Sequence, residues 1–215
     1  MKLIMTGTGR CGTKFHSRLL RSIGWEAKHE LVFDPNVTLA NVQQRMQRLG
    51  SVVDAEASWI VTAFLSHPAL KNIKIVHLVR EPLPCMASML QVTNFYGMRD
   101  ANPLNGPVEF WLRCLYRHLP EIEQMKGKPL KQAMIMYLAW NRIVEEQRPD
   151  AILHRIEDGP QAFCERIGIS LPEQYFNDEK CNTRGPVPDL GWDDYPDCPL
   201  KEETRAYAQS LGYAV

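Results

Sequence analysis

Ile4-Met-Thr-Gly-Thr-Gly-Arg-Cys-Gly-Thr-Lys-Phe15 joins a short apolar run to a glycine-rich turn, and its reading decides the rest of the chain. Gly7 and Gly12 have the spacing of the phosphate-cradling pattern G-x-x-x-x-G-K-[ST], but Thr13 and then Lys14 follow, in the inverse order. Lys2 to Thr6 reads as a strand. Thr13 to Ile23 reads as a helix, with Phe15, Leu19, Leu20 and Ile23 at helical spacing and Gly24 closing it. Gly7, Gly9 and Gly12 let the backbone turn sharply, so the N–H groups of residues 10 to 14 converge at a helix N-terminus, where the dipole favours an anion. Arg10, Thr13 and Lys14 add side-chain donors.

Outward from this loop the alternation continues. Trp25 to Phe33 reads as a second strand and its exit, Val37 to Leu49 as a helix, Ser51 to Ala55 as a third strand, and Ile60 to Leu65 as helical until Pro68. Ile73 to Val79 is strongly β-branched and ends at Arg80-Glu81-Pro82, which opens a helix through Leu90. Val108 to Met125 and Leu130 to Gln147 read as helices, Ala151 to Ile156 as a last strand and Pro160 to Ile167 as its helix. The Pro-, Gly- and Asp-rich stretch from Cys181 to Pro199 predicts a long loop before a terminal helix, Glu202 to Leu211. Strands alternating with helices predict an α/β fold with a parallel sheet covered on both faces. Its ligands would lie beyond the carboxyl ends of the strands. Both basic junctions, at Arg10 and at Arg80, fall at such ends.

A length of 215 residues suits a single α/β domain spanning 1–215. Lys plus Arg and Asp plus Glu both total 25, so no whole-chain field argues for nucleic acid or an acidic membrane, and any anion site must be local. Six cysteines without a C-x-x-C pair suit reduced thiols and a cytoplasmic setting. No run approaches the roughly 20 apolar residues of a membrane span. The apolar start runs straight into Gly7, unlike a signal peptide.

Arg10-Cys11-Gly12-Thr13 resembles the 5′-phosphosulfate loop of the sulfotransferases that use 3′-phosphoadenosine 5′-phosphosulfate (PAPS): a basic residue, a small residue, Gly and Thr. Arg80-Glu81-Pro82 with Ser88 is similar to the same family's second motif, whose Arg and Ser hold the 3′-phosphate. His154-Arg-Ile-Glu-Asp158 resembles its Y-R-x-E-D strand end, and Asn182-Thr-Arg184-Gly185 with Trp192 its cofactor-closing loop. Lys14 and Cys11 depart from the Thr and Ser common there. The resemblance implies a three-layer P-loop NTPase-like fold and sulfuryl transfer from PAPS to a hydroxyl or amine. It further implies no required metal, with the cofactor held by Gly9, Arg10, Cys11, Gly12, Thr13, Lys14, Arg80, Ser88, Arg184 and Gly185.

Sulfuryl transfer needs charge neutralised on the leaving phosphate and a base for the acceptor's proton. Arg10 takes the first role, acting by charge and hydrogen bonding because a guanidinium does not deprotonate. Lys28-His29-Glu30, at the exit of the second strand, lies where the family has G-H-E and draws its base from Glu or His. Glu30 is the favoured base and His29 the alternative. Glu56 and Ser58 are candidates for an acceptor pocket, though a helix cap accounts for Ser58. His16, His67, His77 and His118 read as structural, and Thr93 to Met98 as a lid. Two other readings stand beside this one. A small-molecule kinase would use ATP and Mg²⁺ with Asp54 as the acid at a neighbouring strand end; a binding module would hold the nucleotide without turnover. The acceptor, whether small molecule, carbohydrate or lipid head group, is not written in the sequence.

Overall fold

A computed structural model of the chain describes residues 1–34, 36–91, 119–125, 127–175 and 187–215. The expected helix from Val108 lies largely outside these, as do the Thr93 to Met98 stretch, His118, Arg184 and Gly185. The chain divides into two compact units: 1–80 with 141–183, and 81–140 with 184–215.

The first unit is built on a five-stranded parallel sheet of β1 (Leu3–Thr6), β2 (Ala27–His29), β3 (Ala55–Ala57), β4 (Lys74–Val79) and β5 (Ile152–Arg155). Their order is β2-β3-β1-β4-β5. A parallel sheet buries both faces, and β1 is buried at all four positions. Leu3, Met5, Ala55, Ala57, Val76 and Leu78 point to one face. There they pack against Leu19 and Leu20 of α1 (Thr13–Ser22) and against Phe163, Cys164 and Ile167 of the helix Gly159–Ile167. The alternate residues point the other way: Thr6 meets Thr62 of the 3-10 turn Ile60–Phe64, and His77 meets Asn141. The fold is therefore α/β, with a central all-parallel sheet flanked by helices, as the alternating pattern predicts.

Three elements differ from expectation. The third strand is Ala55–Ala57, not Ser51 to Ala55, because pairing on both sides begins only after Asp54, whose carbonyl accepts from Lys2 and Leu3. Ala-Glu-Ala carries no β-branched residue; two flanking strands impose the extended state, and small side chains let α1 approach. The Ile60 segment winds as a 3-10 turn. The helix expected from Val37 is the shorter α2 (Val42–Arg48), since Asn41 Oδ1 accepts from the Thr38 N–H and occupies that segment in a turn.

In the second unit, α3 (Pro82–Leu90) starts on its proline, followed by α4 (Pro120–Gln124), α5 (Pro129–Gln147, of which 129–140 belong here) and, after the first unit's α6 (Gly159–Ile167), α7 (Pro199–Ser210). Gln132 Nε2 donates to the Ile122 carbonyl, and Tyr137 meets Tyr207 edge-on. Among the described residues no helix is long and apolar enough to cross a membrane.

Gly7 is the glycine on which the sheet depends. A Cβ there would lie 2.0 Å from the Leu78 carbonyl oxygen, a backbone atom that cannot step aside. Gly24, at φ 92°, has nothing within 4 Å of its would-be Cβ. Gly7→Ala is expected to lower stability by about 3 kcal/mol or more, at the top of the overpacking range. Gly24→Ala should lower it by only about 1–2 kcal/mol, the left-handed backbone penalty. Urea unfolding of the two variants gives the comparison.

Candidate functional site

The loop between β1 and α1 sits where the chain reverses its direction of travel through the sheet. From β1 it moves toward β2 on one side, and from β4 toward β5 on the other, so the crevice between the carboxyl ends of β1 and β4 is the switch point. Both basic junctions open there. Arg10 takes a left-handed conformation, φ 73°, and Gly12 another, φ 87°. Two such residues in three fold the loop back before α1 begins at Thr13. Gly12 offers α1 no capping side chain, and the first turn of the helix carries no acid. That leaves the positive end of its dipole without a capping side chain or an acid in the first turn.

Arg80, leaving β4, donates from Nη1 to the Arg10 carbonyl at 3.3 Å, so the second junction grips the first. The loop is also held from below. Asn141 Oδ1 accepts from the Thr8 N–H at 3.3 Å and from His77 Nε2 at 3.1 Å. Burial drives the His77 pKa down to about 4, so its ring is neutral with the proton on Nε2. His16 Nδ1 donates to the Gly12 carbonyl at 3.0 Å and, fully buried, is likewise lowered to about 4.

Thr13 Oγ1 lies 3.1 Å from His29 Nε2, and Glu30 Oε1 lies 3.7 Å from the same nitrogen. Loop and β2 exit thus meet at one point. Burial lowers the His29 pKa to about 4, with the cations Lys14, Arg18 and Arg21 of α1 adding to it. At neutral pH His29 and Glu30 are therefore neighbours across a hydrogen-bond distance and a little more, not an ion pair. Glu30 holds φ 56°, a left-handed conformation that costs a non-glycine residue about 1–2 kcal/mol, while its N–H donates to the Ala57 carbonyl.

Of the sequence candidates, Gly9, Arg10, Gly12, Thr13, Lys14, His29, Glu30 and Arg80 are gathered by this unit at or beside the loop. Cys11 belongs to the same loop, but its side chain is fully buried in the core under α1 and its N–H donates to the Thr8 carbonyl, so its thiol packs inward. Ser88 is buried in α3, a helix that begins at Pro82 as the motif spacing requires. Arg184 and Gly185 lie outside the described residues. Trp192 opens a 3-10 turn with Arg205 over its ring at 5.7 Å.

Asp54 is at the amino edge of β3, ion-paired with Lys2 at 2.9 Å and accepting from the Glu26 N–H. It stands at the opposite end of the sheet from the loop. In the R-x-E-D stretch, Asp158 clasps Arg155 and Arg166 at 2.7 Å each, and Arg166 donates to His154 Nδ1. His154, buried, is lowered to about 3 by burial and then by His16 and Arg166. Sequence reasoning missed Asn141 and undervalued Glu56, because nothing local to either residue announces the partner that folding supplies. The second unit holds an open cavity of about 530 Å³, lined by Lys128, Lys131, Lys201, Asp193, Asp194 and Tyr195 among others, which the sequence did not signal.

Compared with family models and with curated protein sequences, the chain matches neither a family nor a relative.

The buried histidines fix an acid response. His16, His29, His77 and His154 have folded pKa values of about 4, 4, 4 and 3 against an ordinary 6.5, so the unfolded chain takes up protons that the native state refuses. Their stability contribution is complete above pH 6.5 and is lost as pH falls toward 4. Glu56, raised to about 7 by burial, has the opposite sign and offsets one of the four between pH 4.5 and 6.5. Each uncompensated histidine contributes at most about 1.4 kcal/mol per pH unit. The urea midpoint is expected to fall between pH 6.5 and 4.5, with the Cε1 proton resonances of these four histidines unmoved above pH 5.

Proposed function

We propose that the chain is a PAPS-dependent sulfotransferase that transfers a sulfuryl group to a hydroxyl or amine and releases 3′-phosphoadenosine 5′-phosphate. The observation that carries this reading is the grip of Arg80 on the Arg10 carbonyl at the switch point, which joins two basic junctions into one anion-binding mouth. One anion site would accept a 5′-phosphate; two, at the ends of adjacent strands, suit a nucleotide phosphorylated at both ends. The uncapped N-terminus of α1, with no acid in its first turn, fits a phosphosulfate.

PAPS supplies an activated sulfur whose bridging oxygen leaves with the phosphate. The loop's part would be to hold that oxygen as charge grows on it, through the amides at the start of α1 and the Arg10, Thr13 and Lys14 side chains. At the β2 exit, Glu30 takes the acceptor's proton. Neutral His29, within hydrogen-bond distance of Thr13 and 3.7 Å from Glu30, leaves the carboxylate's charge in place where an imidazolium would neutralise it. A cytosolic enzyme with reduced thiols belongs to this reading, and among the described residues Cys11, Cys85, Cys164 and Cys198 form no disulfide. The kinase alternative loses support from the place of Asp54, at the far edge of the sheet.

Calorimetric titration separates the readings. Wild type is expected to bind 3′-phosphoadenosine 5′-phosphate in preference to ATP with Mg²⁺. Arg80→Ala should weaken that binding by about 1.5–3 kcal/mol, the range for a charge-assisted hydrogen bond. Preference for ATP with Mg²⁺, indifferent to Arg80, would mean a kinase. For the base, Glu30→Gln is expected to lower turnover by about 10²–10⁴-fold, the range for general-base catalysis, with nucleotide affinity unchanged. A non-catalytic binding module would show no turnover for this substitution to reduce.

A further inference from the structure

Residues 31–33, which follow Glu30, pair with no strand; side chains hold them. Glu56 of β3 is fully buried, and its Oε1 accepts from three successive amides: Leu31 at 2.7 Å, Val32 at 3.0 Å and Phe33 at 3.4 Å. The carbonyls of the same segment are taken from the other side. Arg45 of α2 donates from Nε to Val32 O at 2.6 Å and from Nη2 to Leu31 O at 3.0 Å, and Ser58 Oγ donates to Phe33 O at 2.9 Å. The three amides and three carbonyls of the segment all bond to side chains, and one carboxylate oxygen gathers half of them.

Burying a carboxylate is unfavourable unless its oxygens are satisfied, and Glu56 Oε2 is buried with no hydrogen-bond partner among the described residues. An apolar residue at this position in a three-residue strand would fill the space without that penalty. A carboxylate here is thus explained by what its other oxygen does, which is to draw three amides into a tight turn directly after Glu30. Glu30 itself sits in a left-handed conformation that only surrounding structure can enforce.

We propose that Glu56 is a positioning residue: it fixes the exit of β2 through the amides of Leu31, Val32 and Phe33, and so holds Glu30 beside His29 and Thr13 at the anion loop. Only the catalytic consequence, Glu30 acting as the base, rests on the sulfotransferase reading; the bracing of the β2 exit does not. Burial raises the Glu56 pKa to about 7, opposed by the three amides and by Arg45. Arg45 is the charged group bearing on it. Asp34 is bound to Arg45 at 2.8 Å, Lys28 to Glu26, and β1 and the turn Ile60–Phe64 contain no ionisable residue. The brace therefore loosens as the carboxyl takes up a proton just below neutrality.

The test uses ¹⁵N-labelled full-length wild type and Glu56→Gln, which keeps volume and one acceptor oxygen. In wild type the amide protons of Leu31, Val32 and Phe33 are expected to shift together between pH 5.5 and 8.5 with one midpoint near 7, and in Glu56→Gln to lose that titration. The His29 Cε1 resonance should be displaced in the variant. With PAPS, Glu56→Gln is expected to lower kcat at least tenfold while the Kd for 3′-phosphoadenosine 5′-phosphate stays within twofold, a split that general loss of structure would not give. Amides that do not titrate together, or a variant with wild-type kcat, overturn the proposal. If wild type fails to bind 3′-phosphoadenosine 5′-phosphate, the sulfotransferase reading falls alone. Positioning is then decided by His29: displacement in Glu56→Gln upholds it and an unmoved resonance overturns it.

Discussion

Much of the first unit depends on how closely β1 approaches β4 at the point where β1 ends. Gly7 lies against the Leu78 carbonyl so tightly that no side chain could stand there. This contact lets the chain leave β1 directly over β4, and it brings the Arg10 carbonyl within reach of Arg80. A wider separation would still permit a parallel sheet and a helix after it. It would not permit one junction to grip the other. The joining of the two basic junctions is a consequence of backbone proximity first and of basic side chains second.

Beneath these two junctions, the sheet face opposite α1 is unusually polar for a parallel sheet. Thr6 and Thr62 share a hydrogen bond at 2.8 Å, His77 and the Thr8 amide share Asn141, and Glu56 takes three amides. Such networks are favourable only when their members are satisfied, since each orphaned buried group costs about 1–3 kcal/mol. Satisfaction also specifies geometry. The loop after β1 and the segment after β2 are both anchored to this layer by side chains rather than by strand pairing. Their irregular shapes are thereby as well determined as a strand would be.

The sequence made the sheet legible wherever hydrophobic periodicity carried the information. β1, β4, α1 and the Gly159–Ile167 helix were read close to their observed bounds, because Leu3 to Thr6 and Ile75 to Val79 are largely apolar stretches ended by glycine or arginine. β3 was misplaced because Ala-Glu-Ala owes its extended state to its neighbours and not to its own propensity. The loop cations and glycines were legible for a related reason: their function lies in consecutive residues. Asn141, 133 residues from Thr8, and Glu56, 25 from Leu31, act through contacts that exist only after folding. Glu56 was visible as an acid at a strand end, yet its burial and its three amides were not.

The arrangement of acids gives the site its character. Around a loop that gathers positive charge, carboxylates could either hold a cation or stay out of the anion's way. Asp54 is withdrawn to the far edge of the sheet by Lys2, Asp158 is occupied by two arginines, and Glu56 is turned down into backbone amides. Glu30 stands beside His29, 3.7 Å from the nitrogen that lies 3.1 Å from Thr13 Oγ1, in a left-handed backbone conformation. Three acids of the unit are thus held in structural pairings while a fourth stands next to the loop's cations. Under the proposed function, an anionic donor would meet those cations and Glu30 would be the proton acceptor beside it.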